Sequence, residues 1–322
     1  MSKNQSFFVQ DMDAYIAYQK ASRRWSDTYE SNLRVFDHYC FHLSPDSNVL
    51  TQEMVNGWCA KRDTETNNSC IARIKVVSSF VKYLRTRGKT EVEKPDFPQR
   101  ERNTYIPHAF TVSELKNFFH ACDSIPPSPP SNCPAFSRKI AIPVFFRLLY
   151  SSGIRTNEAR MLRVCDVDLI DGILNIQCSK GESQHYVVLH DSMLDLMKKY
   201  DTAIRTVYPN REYFFASRKG SYYSHDWVNR HFREIWYKNN ASYAVAYTLR
   251  HHYATENINK WVCDGFDFDS KLLYLSRSMG HSTLESTKYY YSLVPAMANI
   301  IEKLSSQGFN DIVPEVDYEE GQ

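Results

Sequence analysis

The chain of 322 residues carries 39 Lys and Arg against 37 Asp and Glu, a formal net charge of +2, with 43% hydrophobic and 24% charged residues. That composition excludes a disordered or fibrous chain, and the length suits about two domains. No apolar run nears the roughly 18 residues of a membrane span and the start, Met1 to Gln5, lacks a signal-peptide core, so a cytoplasmic protein with no membrane partner is expected.

The small net charge hides a gradient. Residues 309–322 hold five acids, Asp311, Glu315, Asp317, Glu319 and Glu320, and no Lys or Arg, which leaves the body with 39 basic against 32 acidic residues, a net +7. Such an excess suits a polyanion without requiring one, and 306–322 reads as an acidic, flexible tail. The eight cysteines are scattered, with no Cys-x-x-Cys pair and no Cys/His quartet at zinc spacing. They read as reduced thiols, and neither a metal nor another cofactor is expected.

From the N-terminus to residue 86 the pattern is helical. Ser26-Asp27-Thr28 caps a run whose Tyr29, Leu33, Phe36, Tyr39 and Cys40 share a face, and Ile71, Val76, Val77, Phe80, Tyr83 and Leu84 form a second stripe. A short helix is expected around Thr51 to Ala60. Lys and Arg on the polar faces read equally well as solvated surface or as a polyanion footprint. Residues 87–109, with Gly88, Pro95, Pro98 and Pro107 among charges, break the periodicity and read as a linker. Residues 110–305 then form a second domain, opening at Thr111-Val-Ser-Glu114, a capping box.

In that domain a proline-rich loop, Pro126 to Pro134, precedes an apolar helix from about Ile140 to Ser151. The helix stops at Gly153, and another starts near Thr156. Arg155 is caught in the tight junction, and Glu158 sits on the new helix's first turn, where the macrodipole favours an acid. Alternating apolar residues in 172–178 and 184–189 flank Lys180-Gly-Glu-Ser, a hairpin with Lys180 at its tip. Helices are expected over Met193 to Val207 and Asp226 to Tyr237. The stretch Tyr247 to Tyr291 follows, interrupted by a polar and aromatic insertion around 264–271. Val294 to Leu304 reads as a short amphipathic helix. The fold class expected is mainly α with a small β-sheet.

Gly153-Ile-Arg155-Thr-Asn-Glu158, Lys180 in a hairpin, Leu249-Arg250-His251, Met279-Gly280-His281-Ser282 and Tyr290 occur in the order and approximate spacing of the tyrosine recombinase (phage integrase) family, which residues 105–300 resemble. The helical region 1–86 looks like that family's core-binding, DNA-binding domain. The resemblance implies a mixed α+β catalytic domain. It further implies a site-specific recombinase acting on double-stranded DNA as a homotetramer across two sites, with room for an accessory DNA-bending or directionality factor.

The chemistry suits the residues. Strand cleavage without a metal needs a nucleophile, cationic donors for the charge building on the phosphate, and an acid for the leaving oxygen. A tyrosine conserves the bond energy in a 3′-phosphotyrosyl ester that a hydroxyl can later reseal. Arg155 and Arg250 suit the non-bridging oxygens, because a guanidinium donates paired hydrogen bonds and keeps its charge. By resemblance Lys180 is the general acid, His281 the hydrogen-bond donor to the phosphate, and Glu158 the acid that orients the set. Tyr290 stands nine residues after His281, the spacing at which the family places its nucleophile, so Tyr289 and Tyr291 read as packing residues.

Two features depart from the family. Tyr247 occupies the position of its usual first histidine, and a phenol, with a reference pKa near 10, mainly hydrogen-bonds where an imidazole titrates near neutrality. His251 and His252 are expected to be poor substitutes, pointing in other directions. The interval between Arg250 and His281 is also long, which the insertion at 264–271 accounts for. Two other readings stay open: a sequence-specific DNA-binding protein with impaired catalysis, suggested by Tyr247, and a type IB topoisomerase, which uses similar chemistry.

Overall fold

Hydroxyl side chains write many of the helix starts. Thr51, Thr66, Thr111 and Ser224 each accept a hydrogen bond from the backbone N–H three residues on, and Glu114 returns the bond to Thr111, completing the capping box read from sequence. The computed structural model describes residues 6–22, 25, 27–101, 106–127, 129, 131–177, 184–217, 220–261, 268–281 and 283–290. It is mainly helical with one small antiparallel sheet, and it divides into two compact units, Met1–Tyr105 and Ile106–Gln322.

The first unit is built from α1 (Val9–Ala21), α2 (Asp27–Leu43), α3 (Gln52–Cys59) and α4 (Asn67–Arg85). Its core is aromatic. Phe8, Tyr15, Phe36 and Phe80 are buried, with Phe80 5.7 Å from Phe8 and 5.4 Å from Tyr15 between ring centroids. Such contacts add about 0.5–1.5 kcal/mol per pair beyond the burial itself. Residues 87–101, read as the first part of a linker, are strapped onto this unit. Val92 joins the core, Glu93 exchanges backbone bonds with the Gln52 amide, and Asn67 bonds Gln99 and Glu101. The irregular backbone seen in the sequence is therefore held by side-chain amides.

The second unit is organised around α6 (Cys133–Ser152), which packs on α5 (Val112–Asp123), α8 (Asp191–Arg205) and α10 (Thr248–Trp261). Helix α6 starts well before the apolar run that marks it in sequence, because Pro134 falls in its first turn, where a missing N–H costs nothing. Helix α7 (Thr156–Arg160) follows directly. Strands β1 (Val167–Asp168), β2 (Ile173–Ile176) and β3 (His185–Val188) form the sheet in that order, with Leu174 opposite Val187 and Ile176 opposite His185. Alternation buries Leu174, Ile176, His185 and Val187 and leaves Tyr186 and Val188 exposed. Helices α9 (His225–Asn239), α11 (Phe268–Ser278) and α12 (Glu285–Lys288) complete the described unit.

Lys180 at the hairpin tip, the helix read over 294–304 and the acidic tail lie outside the described residues. Of the insertion read at 264–271, residues 268–271 are the first turn of α11 and the rest lies outside as well. Among the described residues no helix is long and apolar enough to cross a membrane.

Candidate active site

Arg155 is positioned by the way α6 ends. Gly153 takes φ 64°, a left-handed conformation that terminates the helix, and a Cβ there would stand 2.2 Å from the Tyr253 ring of α10. Only a glycine lets the two helices approach so closely. The chain then turns through buried Ile154, and Arg155 becomes the residue capping α7. Glu158, one turn later and 3% exposed, accepts from the Arg155 backbone N–H at 2.7 Å and from its Nη1 at 2.6 Å. One carboxylate thus fixes both the backbone and the side chain of the arginine.

The second half comes from α10 and the end of α11. Arg250, on the first turn of α10 and 2% exposed, donates through Nη1 to the Gly153 carbonyl at 2.6 Å and through Nη2 to the Met279 carbonyl at 2.8 Å. Arg155 Nη2 donates to the next carbonyl, Gly280, at 2.7 Å. The two guanidiniums are thereby pinned to successive peptides of one turn. That turn closes α11, since the N–H groups of Gly280 and His281 bond back to Arg277 and Ser276. Gly280 has φ 63°, and a Cβ on it would lie 2.5 Å from the His185 ring and 2.9 Å from Arg155 Nη1.

His281 hangs from the same turn. Its Nε2 is 2.9 Å from Arg250 Nη2 and its Nδ1 is 2.7 Å from the Thr287 hydroxyl. A guanidinium only donates, so Nε2 accepts and Nδ1 carries the proton given to Thr287. Burial, reinforced by the charges of Arg250 and Arg155, pulls its pKa down to about 4. The ring is therefore neutral at pH 7.

Tyr290 is buried at 2% exposure among Ala254, Ile258, Leu272, Leu275 and Met279, with Arg250 near enough to bear on its electrostatics. Burial pushes its phenol up to about 12 against the pull of Arg250. Its ring stacks on His281, 6.2 Å between centroids and 14° between planes. Tyr289 is 41% exposed, and Tyr291 lies outside the described residues, as does Lys180. Tyr247, 43% exposed ahead of α10, is close enough to Arg250 and Tyr290 to enter the electrostatics of both.

Of the residues singled out in sequence, the structure therefore brings Arg155, Glu158, Arg250, His281, Tyr290 and Tyr247 to one place. It also brings two that were not singled out, and one that was set aside. His185, the inward polar residue of β3, sits against Gly280 with Nε2 3.9 Å from a Glu158 oxygen. Its signal is a histidine at an inward position of an otherwise apolar alternation. Thr287 orients His281 and had no signal in sequence. The third is His251, which corrects the expectation that it points away. Its ring centroid lies 5.6 Å from that of Tyr290 and 5.1 Å from that of Tyr247. Four residues on a helix is about 400°, nearly one full turn, so position 251 returns to the face of position 247. His252 does turn elsewhere, stacking on Tyr150 5.5 Å away. Among the described residues no three His, Cys, Asp or Glu side chains gather as a metal site.

The sequence model of the phage integrase family matches residues 109–296, more than half of the chain. An integrase/recombinase of Sinorhizobium fredii is 26% identical over 229 residues, 69% of this chain and 72% of that protein. The tyrosine recombinase XerD of Rickettsia conorii is 22% identical over 313 residues, 89% of this chain and 94% of its own length. Among solved structures, XerH site-specific recombinase bound to its difH substrate aligns with a TM-score of 0.59 at 19% identity, over 82% of this chain and 76% of that one. A lambda integrase tetramer bound to a Holliday junction aligns at 0.58 and 17% identity, over 90% of this chain and 78% of that one. These likenesses establish a common fold.

Proposed function

This chain belongs to the phage integrase family, and from there we propose that it is a site-specific recombinase that cuts and rejoins double-stranded DNA through a 3′-phosphotyrosyl bond on Tyr290. The observation that carries the reading is the convergence on one turn of Arg155, Arg250 and His281, with Arg250 bonded to His281 and the Tyr290 ring stacked on it. A phenol and two cations able to hold a phosphate are thus gathered around one turn.

In the reaction the Tyr290 oxygen attacks phosphorus while Arg155 and Arg250 donate to the non-bridging oxygens, where charge builds in the transition state. Arg250 has a donor in reserve, since its Nε–H has no partner among the described residues. His281 becomes a donor to the phosphate once Nε2 gains a proton, a change the arriving negative charge favours. Lys180, by resemblance, protonates the departing 5′ oxygen. The lambda integrase tetramer on a Holliday junction supports a four-subunit synapse of two DNA sites. The net +7 of the chain without its acidic segment is consistent with phosphate contacts supplying much of the affinity.

The test is covalent capture. Full-length protein is incubated with duplexes of randomised sequence, each nicked so that the cleaved strand's short end diffuses away and traps the adduct. The expected outcome is a protein–DNA adduct whose phosphate maps to Tyr290, absent in Tyr290→Phe and retained in Tyr289→Phe. An adduct that survives Tyr290→Phe overturns the assignment.

A further inference from the structure

The position that usually supplies an imidazole holds Tyr247, yet the site contains a second imidazole against the nucleophile. We propose that His251 accepts the Tyr290 proton, taking over the task from the next turn of α10. The inference rests on the recombinase reading above.

Two observations carry it. The His251 ring lies beside Tyr290, 5.6 Å between centroids, and is flanked by Tyr247 at 5.1 Å and Tyr289 at 6.3 Å. Its Nδ1 is buried and has no hydrogen-bond partner among the described residues. On a neutral ring that nitrogen is free to accept a proton.

The charge state agrees with the geometry. Burial first, and Arg250 second, pull the His251 pKa down to about 4, so the ring is neutral and able to take a proton at pH 7. A base that weak has little driving force on its own. A phosphate seated on Arg250 would offset the cation that depresses it and raise its basicity as the substrate arrives. The groups facing His251 among the described residues are Arg250 on its own helix, Tyr247 just ahead of that helix, and Tyr289 and Tyr290 from the closing segment.

The step balances. The Tyr290 Oη–H proton passes to His251 Nδ1 as the Oη–P bond forms and the P–O5′ bond breaks, and the leaving 5′ oxygen takes a proton from the general acid. Resealing runs the same transfers backwards, the incoming 5′ hydroxyl losing its proton and His251 returning one to Tyr290.

The experiment measures single-turnover adduct formation against pH, on a nicked duplex recovered from the randomised pool, for wild type, His251→Gln, His251→Asn and Tyr247→His/His251→Gln. Positioned general bases contribute about 10²–10⁴-fold. Gln and Asn fill the space but cannot take a proton. Both single variants should therefore cleave slower by about that factor at neutral pH, with unchanged DNA affinity and a deficit that shrinks as hydroxide takes over. Adding Tyr247→His should restore at least ~10-fold by returning an imidazole to the neighbouring turn. Wild-type rates and an unaltered pH profile in the single variants would overturn the inference while leaving the recombinase reading intact. No adduct from wild type would sink the reading itself and the inference with it. Should Gln destabilise the fold, Asn gives the same decision.

Discussion

Each unit buries an arginine, and the two are treated oppositely. In the first unit Arg73 is 7% exposed and pairs with Glu65 through Nε and Nη2, while also donating to the carbonyls of Trp58 and Ala60. The carboxylate raises the arginine's pKa, and the arginine holds Glu65 down to about 2. In the second unit Arg250 meets carbonyls, a histidine and a tyrosine, and no carboxylate within ion-pairing distance among the described residues. Burial accordingly lowers its pKa. The second unit can neutralise a buried arginine when nothing else is asked of it, as Arg211 does with Asp201. A buried cation held by carbonyls and left without a counter-ion is poised for an anion, and under the proposed recombinase reading that anion is a DNA phosphate.

The sharpest way to break this comparison is to remove the neutralised arginine. Arg73→Met strands the Glu65 carboxylate, whose side chain is 12% exposed, in a site built for a pair. Breaking such a pair costs about 3–5 kcal/mol. Urea denaturation should move by that amount, while the cleavage rate per folded molecule stays at wild type. Equal loss of cleavage would mean the two arginines do not differ in kind.

The complementary change is Arg250→Lys, which keeps the charge and gives up the planar fork. Losing one preorganised donor to a developing oxyanion costs about 10²–10³ in rate, or ~2.7–4 kcal/mol in the barrier. Adduct formation should fall by that factor, and DNA affinity should change only a few-fold. A thermal midpoint within a few degrees of wild type would place the effect on chemistry. A variant that instead unfolds would make Arg250 a structural residue like Arg73.

Local chemistry explains what could be read in advance. The Thr111–Glu114 capping box, the stop at Gly153 and the inward alternation of β2 and β3 depend on neighbours in sequence, and they appear as the residues predict. Arg155, Arg250, His281 and Tyr290 were found through the spacing of short motifs. What spacing does not contain is which atoms face each other after the chain closes. The Met279–Gly280 turn that holds both guanidiniums joins residues 125 and 29 positions apart. Thr287 and His185 enter through that turn alone. The direction of His251 follows from degrees around the helix and not from its distance along the chain. Likewise, the linker read at 87–109 has no apolar stripe because its first part is held by amide hydrogen bonds, which leave no hydrophobic period.

The smallest effect separates the units by pH. Burial pulls His251 and His281 down to about 4 and pushes His231 and His252 in the same direction, all four in the second unit. A histidine whose folded pKa lies below its unfolded value of about 6.5 supplies stability that is complete above 6.5 and is lost as pH falls through the folded pKa. The second unit should weaken progressively between about pH 6.5 and 4, by on the order of 1 kcal/mol for each of His251 and His281 once solvent screening is allowed for. Glu65 in the first unit, held at about 2, behaves differently: its contribution is complete above the ordinary carboxylate range and fades as pH falls from there toward 2. Hydrogen exchange, corrected for intrinsic rates, should show protection in α10 declining by pH 5 while α4 keeps its own. The variant carrying both His251→Gln and His281→Gln should flatten the α10 decline. Parallel loss in the two helices would mean that the buried histidines are not what distinguishes the catalytic unit. Bound DNA should reverse the trend, because a phosphate on Arg155 and Arg250 raises both histidine pKa values and converts the acid penalty into proton uptake on binding.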